Sequence, residues 1–251
     1  MLNGLFKWRL SPAMTLLALV VMVMMIGLGF WQLDRAGEKE ALFERFEQAL
    51  TVQPELLRSG RELSRLAEGA EGPVYEPARL RGQYDSRRQF VMENRPRDGQ
   101  DGYEILTPLR LTDGTIVIVN RGWVPRGRTR DRLPDIDLDG GRVDVSGLLR
   151  RYPRPGLRLG ESVPAQQGWP RRVNYPRPED LAAVLDEPVA QLMLLLGPEE
   201  PQGYRRDWRP AVSGPVRHYG YAVQWFGMAL ALLVICLVIN MRRGRESGDN
   251  G

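Results

Sequence analysis

Histidine and cysteine, two of the commonest residues in catalytic and metal sites, are almost absent from this 251-residue sequence, and its many acidic residues are scattered. There is a single histidine, His218, and a single cysteine, Cys236. A metal site built from several Cys and His ligands therefore cannot be assembled. A Ser-His-Asp triad would have to use His218, and the sequence has no G-x-S-x-G turn, Walker A loop or G-x-G-x-x-G motif. We therefore expect a protein that has no catalytic residues and is not an enzyme.

The histidine lies among polar and aromatic residues that stand at the edges of two apolar stretches. These residues are Trp31, Gln32, Arg35, Tyr219, Tyr221, Gln224 and Trp225. Residues spaced i, i+3, i+4 and i+7 share one face of a helix. In the second stretch this face would carry His218, Tyr221, Ala222 and Trp225.

Two interpretations of this cluster are open from the residues alone. In the first, Trp and Tyr side chains anchor two helices at a membrane surface, and Gln32 and Gln224 hydrogen-bond between the helices. In the second, the neutral imidazole of His218 is a ligand to a haem iron. A haem between two such helices would keep its apolar ring at lipid depth and its propionates near Arg35 or Arg217.

The two uncharged apolar stretches must position these residues. The first runs from Leu10 to Leu33 and the second from Tyr219 to Met241. Each exceeds the roughly 20 residues that a helix needs to cross a bilayer, and in lipid a helix satisfies its own backbone groups. We predict transmembrane helices over 10–33 and 218–241. The first should be an uncleaved anchor, because it is longer than a signal-peptide core and ends without a small-x-small cleavage site.

The charges beside the two stretches predict the orientation in the membrane. Basic residues accumulate at the cytoplasmic ends of such helices. Here they are Lys7 and Arg9 before the first stretch, and Arg242, Arg243 and Arg245 after the second. We expect segments 1–9 and 242–251 in the cytoplasm and a domain over 34–217 in the periplasm, at a bacterial inner membrane. The net charge of +4 sits mostly in the tails, so we expect no nucleic-acid partner.

Helical and alternating patterns divide the domain between the two stretches. The helical pattern continues from Asp34 to about Leu50, and Pro54 should begin a second amphipathic helix over Glu55–Leu66. We expect strands, from alternating or apolar patterns, over Val74–Tyr84, Gln89–Glu93, Tyr103–Leu111, Thr115–Val124 and Val143–Leu149.

The remaining segments complete an expected α+β domain. Arg150–Pro178 is rich in Pro and Arg and should form an irregular loop. Glu179–Leu185 should be a short helix, and Val189–Leu196 either a buried strand or a helical turn. The Asp113-Gly114 pair predicts a two-residue type I′ hairpin, in which both positions need positive φ. We therefore expect two transmembrane α-helices flanking a small antiparallel sheet or partial barrel with edge helices.

Four segments resemble the surfeit locus protein 1 family of cytochrome c oxidase assembly factors, in its bacterial form. They are GFWQLDR at 29–35 with Lys39, GQYD at 82–85, VNRGWVP at 119–125 and HYGYAVQWF at 218–226. The third and fourth are the most specific. The likeness covers nearly the whole chain, and the layout of two helices around a large outer domain also matches.

The resemblance implies a non-enzymatic chaperone for the assembly of a haem-copper oxidase. Its expected role is to assist insertion of haem a into the catalytic subunit, with haem a bound transiently and His218 as the haem ligand. The implied partners are that catalytic subunit, haem a synthase and the lipid bilayer. The alternative is a haem-free membrane scaffold that stabilises an oxidase assembly intermediate.

The segment Asn120-Arg121-Gly122-Trp123 has no cofactor role that its chemistry suggests. Two interpretations are open. It could be a strand end with a tight Gly turn and a core Trp, or it could form part of a docking surface for the oxidase.

Overall fold

The computed structural model describes residues 11–69, 74–127, 135–153, 162–164, 168–210 and 212–242. The chain divides into a unit of residues 1–44 and 212–251 and a unit of residues 45–211. The helices, in chain order, are α1 (Pro12–Thr51), α2 (Gly60–Gly69), α3 (Pro178–Leu185) and α4 (Pro215–Arg242). The strands are β1 (Glu55–Leu57), β2 (Glu76–Tyr84), β3 (Phe90–Met92), β4 (Gly102–Leu111), β5 (Ile116–Pro125), β6 (Arg142–Arg151), β7 (Arg171–Val173) and β8 (Leu192–Leu196).

The two terminal helices, α1 and α4, are long and apolar enough to cross a membrane. Only 6% of the apolar window in α1 and 11% of that in α4 is buried within the protein. A core helix of a soluble protein would instead bury its apolar face. The predicted spans are helical from Pro12 onward and throughout 218–241, whereas Leu10 lies outside the described residues.

The first helix continues well beyond the predicted span. It has 40 residues, which at 1.5 Å per residue makes it about 60 Å long, roughly twice the hydrocarbon thickness of a bilayer. The predicted continuation from Asp34 to about Leu50 is thereby confirmed. The last residues of α1 belong to the sheet unit, where Phe46 and Ala49 pack with Leu148 and Leu195.

Five strands of the sheet unit close into a barrel. β2 pairs with β6, β6 with β8, β8 with β5 and β5 with β4, and β4 returns to β2. β1 extends the sheet beside β2, β3 extends it beside β4, and β7 pairs with the outer edge of β3. Closure pairs the ring strands on both sides, which removes the open edges of a flat sheet.

The expectation of an antiparallel sheet is only partly correct. The pairs β1–β2, β3–β7 and β5–β8 are parallel. Each parallel pair joins segments that are far apart in the sequence or separated by a crossover, because parallel strands cannot be joined by a tight turn. Alternation within one strand does not reveal the direction of its partner, so the sequence could not supply this feature.

The alternation in β2 shows which side chains face the barrel interior. Ala78, Leu80 and Tyr84 are buried, while Arg79 and Arg81 are exposed, as the period of two predicts. In β5 and β8 almost every residue is buried. The inner side chains join the barrel core, and α3 covers outer ones such as Ile118 and Met193. The sheet is covered on both faces here, which explains why the residues at 189–196, including β8, are almost continuously apolar.

Two expected elements differ from the structure. The helix expected over Glu55–Leu66 is instead a strand followed by a helix. β1 pairs with β2, and α2 begins only at Gly60. Ser59 caps this helix, because its Oγ accepts the Glu62 N–H at 3.4 Å, and the Glu62 carboxylate accepts the Arg58 N–H at 2.8 Å. This S-x-x-E capping pattern is the signal in the sequence that marks the true start of the helix.

The loop expected over Arg150–Pro178 and the expected hairpin turn also need correction. The loop contains the end of β6 and all of β7, while 154–161 and 165–167 lie outside the described residues. The hairpin between β4 and β5 forms, but only Gly114 in its turn has positive φ. The Leu111 N–H donates to the Thr115 carbonyl, and the Gly114 N–H to the Leu111 carbonyl. The connection is therefore a longer turn ending in a left-handed glycine.

Candidate functional site

The predicted ligand, His218, makes a direct contact with the other apolar helix. Its Nδ1 atom lies 2.8 Å from the Oε1 atom of Gln32. His218 stands in the first turn of α4, and Gln32 lies near the middle of α1. Both side chains are partly buried. Two of the residues singled out in the sequence are therefore brought together, although 186 positions separate them along the chain.

Small residues let the two helices approach each other closely beside this pair. A Cβ atom added at Gly29 would come within 2.6 Å of the Phe226 ring. The Phe226 ring also meets Phe30 edge-on, with centroids 5.3 Å apart. Ala36 and Ala222 are buried in the same unit. Small residues at such contacts are typical of helix pairs in membranes, where close backbone approach increases van der Waals contact.

A second polar contact joins the helices beyond His218. The Tyr219 hydroxyl donates a hydrogen bond of 2.8 Å to the carboxylate of Glu40. Phe226 meets Gly29 and Tyr219 meets Glu40, so the two helices run antiparallel. Glu40 was not among the residues singled out in the sequence. It looked like one of many surface acids in a helical pattern, and no local signal distinguished it.

Other residues of the predicted cluster do not converge on His218. Tyr221 is 46% exposed and Trp31 is 51% exposed, and Gln224 is also exposed. The expected single face is therefore only partly correct, since Tyr221 points outward while Ala222 is buried. Outward Trp and Tyr side chains resemble an aromatic belt at a membrane surface. The inter-helical hydrogen bond expected of Gln32 is present, and its partner is the histidine.

The cations considered for haem propionates differ in their surroundings. Arg35 forms an ion pair of 2.5 Å with Glu38, one helical turn away on α1. Arg217 is exposed, and no ion pair engages it within the part of the chain that the structure describes. Arg217 therefore keeps its charge available to an anionic group, whereas Arg35 would first have to leave Glu38.

The chemistry of the site is that of a single nitrogen ligand. A neutral imidazole that donates its Nδ1 proton to an amide oxygen keeps a lone pair on Nε2. Metal-binding histidines are commonly oriented in this way by an acceptor on the other ring nitrogen. Across the described ranges, no group of three His, Cys, Asp or Glu side chains could hold a metal ion. The donor set therefore suits a metal that brings its other ligands with it, as haem does.

Comparison with known protein families gives a match over residues 19–230 to the model described as the SURF1 family. The chain belongs to this family. The match includes Gln32, His218 and the whole sheet unit. It therefore covers both the candidate site and the domain between the two helices.

Curated relatives of this SURF1 family member come from bacteria and eukaryotes. A SURF1-like protein of Rickettsia felis is 24% identical over 249 residues, covering 89% of this chain and 95% of the relative. Surfeit locus protein 1 of Homo sapiens is 26% identical over 241 residues, covering 85% of this chain and 73% of the human protein. A third, Surfeit locus protein 1 of Takifugu rubripes, is 30% identical over 144 residues, which are 49% of this chain and 56% of the fish protein.

The second specific motif of this SURF1 family member, Asn120-Arg121-Gly122-Trp123, lies inside β5 rather than at its end, since β5 continues to Pro125. Arg121 is 2% exposed. Its guanidinium donates to the Gln202 carbonyl at 2.8 Å and to the Gln89 side-chain oxygen at 3.0 Å, and it stands over the Tyr204 ring at 5.0 Å. Burial lowers the pKa of Arg121.

The neighbours of Arg121 complete a buried polar network. Gln89 also accepts a hydrogen bond of 2.7 Å from Thr107 and donates one of 3.0 Å to the Ile136 carbonyl. Asn120 donates to Glu104 at 2.6 Å, and the Trp123 indole N–H donates to the Arg95 carbonyl at 2.7 Å. Buried polar groups are stable only when they are satisfied in this way. The motif therefore serves the interior of the sheet unit, which favours the structural interpretation over a docking surface.

Proposed function

We propose that this SURF1 family member is a membrane-bound assembly factor for a haem-copper oxidase of the cytochrome c type. Membership of the family supports the proposal, as do two helices of spanning length and apolarity at the two ends of the described chain. The protein would lie in a bacterial inner membrane, with both termini in the cytoplasm and the sheet unit in the periplasm. Its proposed partners are the catalytic subunit of the oxidase and haem a synthase.

We further propose that the protein carries haem a as cargo for insertion into the catalytic subunit. The observation that carries this proposal is the 2.8 Å contact between His218 Nδ1 and Gln32. It leaves the other ring nitrogen available as an axial ligand, and haem iron accepts a neutral imidazole in that role. Gln32 would orient the ring, and Arg217 would attract the propionates.

The proposed role needs no catalytic chemistry from the protein. Delivery of a cofactor requires that it be bound, kept in an apolar setting and released. A single imidazole ligand suits release, because few bonds must be exchanged when the cargo moves to another protein. The protein is accordingly proposed to act as a chaperone and not as an enzyme.

The test is an absorption spectrum of the full chain purified from cells that make haem a. His218→Ala should remove the haem bands, because the iron loses its protein ligand. Val216→Ala, which changes an exposed residue two positions away, should retain them. Unchanged haem content in His218→Ala would contradict the ligand assignment.

Co-purification with the catalytic subunit distinguishes the two candidate roles. If the protein is a haem carrier, the wild type should co-purify with the catalytic subunit and contain haem. The His218→Ala variant should still co-purify with the subunit but contain no haem. Wild-type protein that holds the subunit but never contains haem would instead establish the haem-free scaffold and defeat the cargo proposal.

A further inference from the structure

The sheet unit contains a pocket of about 310 Å³ that the proposed function does not use. Charged side chains dominate its lining. The cationic ones are Arg95, Arg97, Arg150, Arg205 and Arg209, and the anionic ones are Asp98, Glu104 and Asp207. Five positive and three negative groups leave the lining with a net charge of +2.

Two of the carboxylates are already engaged by other lining residues. Arg205 pairs with Asp98 and with Asp207, each at 2.7 Å. Arg97 reaches the same Asp207 at 3.5 Å. These contacts leave neither carboxylate available as a dedicated counter-ion for the remaining arginines.

The third carboxylate, Glu104, is also occupied. It accepts the Asn120 amide at 2.6 Å and lies 3.9 Å from Arg95. The Nε atom of Arg95 is buried and has no hydrogen-bond partner in the described residues. Arg95 therefore has a distant counter-ion and an unused donor.

Arg150 has few polar partners in the pocket. Its one hydrogen bond among the described residues runs from Nε to the Arg151 carbonyl at 3.2 Å. No described carboxylate lies within ion-pair distance of it, and burial lowers the pKa of its guanidinium. Arg150 is partly buried, and removing a cation even partly from water without a paired anion is costly. Exposed Arg209, at the same pocket, also has no ion pair in the described ranges.

We propose that this pocket binds a phosphate-class oxyanion, held by Arg150 and Arg209 with help from Arg95. Guanidinium groups present paired N–H donors that match the oxygens of a phosphate group. A phosphate monoester carries about −1.5 to −2 charges at neutral pH, which matches the net charge of the lining. The phosphate group could belong to a soluble phosphate ester or to the headgroup of an anionic lipid.

The test measures binding of radiolabelled inorganic phosphate to the full chain in zwitterionic-lipid nanodiscs by equilibrium dialysis. Arg150→Gln and Arg209→Gln should each weaken binding at least tenfold. Arg65→Gln removes the same charge from an exposed residue of α2 and should leave binding unchanged. Arg209 is exposed, so its variant keeps the test valid even where Arg150→Gln lowers stability.

The remaining arms identify the source of the phosphate group. Phosphatidic acid in the nanodisc should displace the labelled phosphate if the natural ligand is a lipid headgroup. Displacement only by added glycerol phosphate would identify a soluble ester, and either result supports the proposal. Equal binding by wild type and both pocket variants would overturn it, and so would tighter binding of succinate, which would indicate a site for carboxylates of an acidic partner.

Discussion

The imidazole Nδ1 of His218 and the side-chain oxygen of Gln32 lie 2.8 Å apart, across two apolar helices. An amide oxygen can only accept, so the neutral histidine must carry its proton on Nδ1 to make this hydrogen bond. The lone pair then resides on Nε2. The contact thus selects one tautomer and one ring orientation before any ligand arrives, which reduces the cost of organising a metal ligand.

Gln32 should therefore control haem binding without touching the iron. Gln32→Leu removes the acceptor and keeps a side chain of similar size. We expect a loss in haem affinity of roughly 10- to 100-fold, the range seen when outer partners of metal-binding histidines are removed. The measurement is a haem titration followed by absorption. Gln224→Leu, at an exposed glutamine of α4, is the matched control, and equal affinities in the two variants would contradict the orienting role.

Gly29 should set how closely the two helices approach. Gly29→Leu would drive a side chain into the Phe226 ring, which already lies 2.6 Å from the position of a Cβ atom. Overpacking of this kind costs about 1–3 kcal/mol. Gly27→Leu is the control, because nothing lies within 4 Å of a Cβ atom there.

Thiol cross-linking reports on this approach. Glu40→Cys and Tyr219→Cys replace two residues whose side chains meet at their tips in the structure, in a Cys236→Ser background, so a short thiol-specific cross-linker must bridge the two thiols. Gly29→Leu should slow cross-linking of this pair, whereas Gly27→Leu should not. A rate unaffected by Gly29→Leu would show that the glycine does not govern the helix contact.

Glu187 should make the sheet unit sensitive to acid. Its carboxylate pairs with Arg110 and, at 2.6 Å, with Arg88. The pKa of Glu187 is lowered from 4.5 to about 2, mainly by hydrogen bonds from Arg110. Because the folded-state pKa is depressed, the ionised group stabilises the fold above about pH 4.5. That contribution is lost as the pH falls through 2.

The corresponding variant is Glu187→Gln. It should lower the free energy of unfolding at neutral pH by roughly 1.5–3 kcal/mol, the range for hydrogen bonds to charged groups. It should also flatten the decline in stability between pH 4.5 and 2, as measured by thermal unfolding at each pH. Glu199→Gln, at an exposed glutamate, should retain the wild-type profile. If the stability of Glu187→Gln declined with pH in parallel with that of the wild type, the lowered pKa of Glu187 would be contradicted.

Arg121 should be required for stability of the sheet unit. Arg121→Met keeps the length of the side chain and removes every donor, leaving the Gln202 carbonyl and the Gln89 oxygen without this partner. Unsatisfied buried groups cost about 1–3 kcal/mol each, so we expect a loss of roughly 2–5 kcal/mol in thermal or denaturant unfolding. Arg87→Met, at an exposed arginine, should cost little. A stable Arg121→Met protein that failed to bind the oxidase would instead favour the docking interpretation.

The local patterns predicted most of the individual elements. The alternation of Ala78, Leu80 and Tyr84 predicted β2, and the uncharged runs predicted helices of spanning length at both ends. The errors came where short-range signals competed. At Glu55–Leu66 the amphipathic period predicted one helix, although the Ser59 cap marks a later helix start. At Asp113-Gly114 the dipeptide predicted a two-residue turn, although the turn that forms is longer.

The sequence by itself determined most of the helices and strands and placed His218 at the start of an apolar helix, because period, charge and length act between neighbours along the chain. Only the tertiary structure decided that five strands close into a barrel, that Gln32 is the partner of His218, and that Arg150 lines a pocket in which no described carboxylate lies within ion-pair distance of it. These relationships join residues tens to hundreds of positions apart. They depend on how buried surfaces fit together and on which polar groups are satisfied when water is excluded, and no local pattern records that outcome.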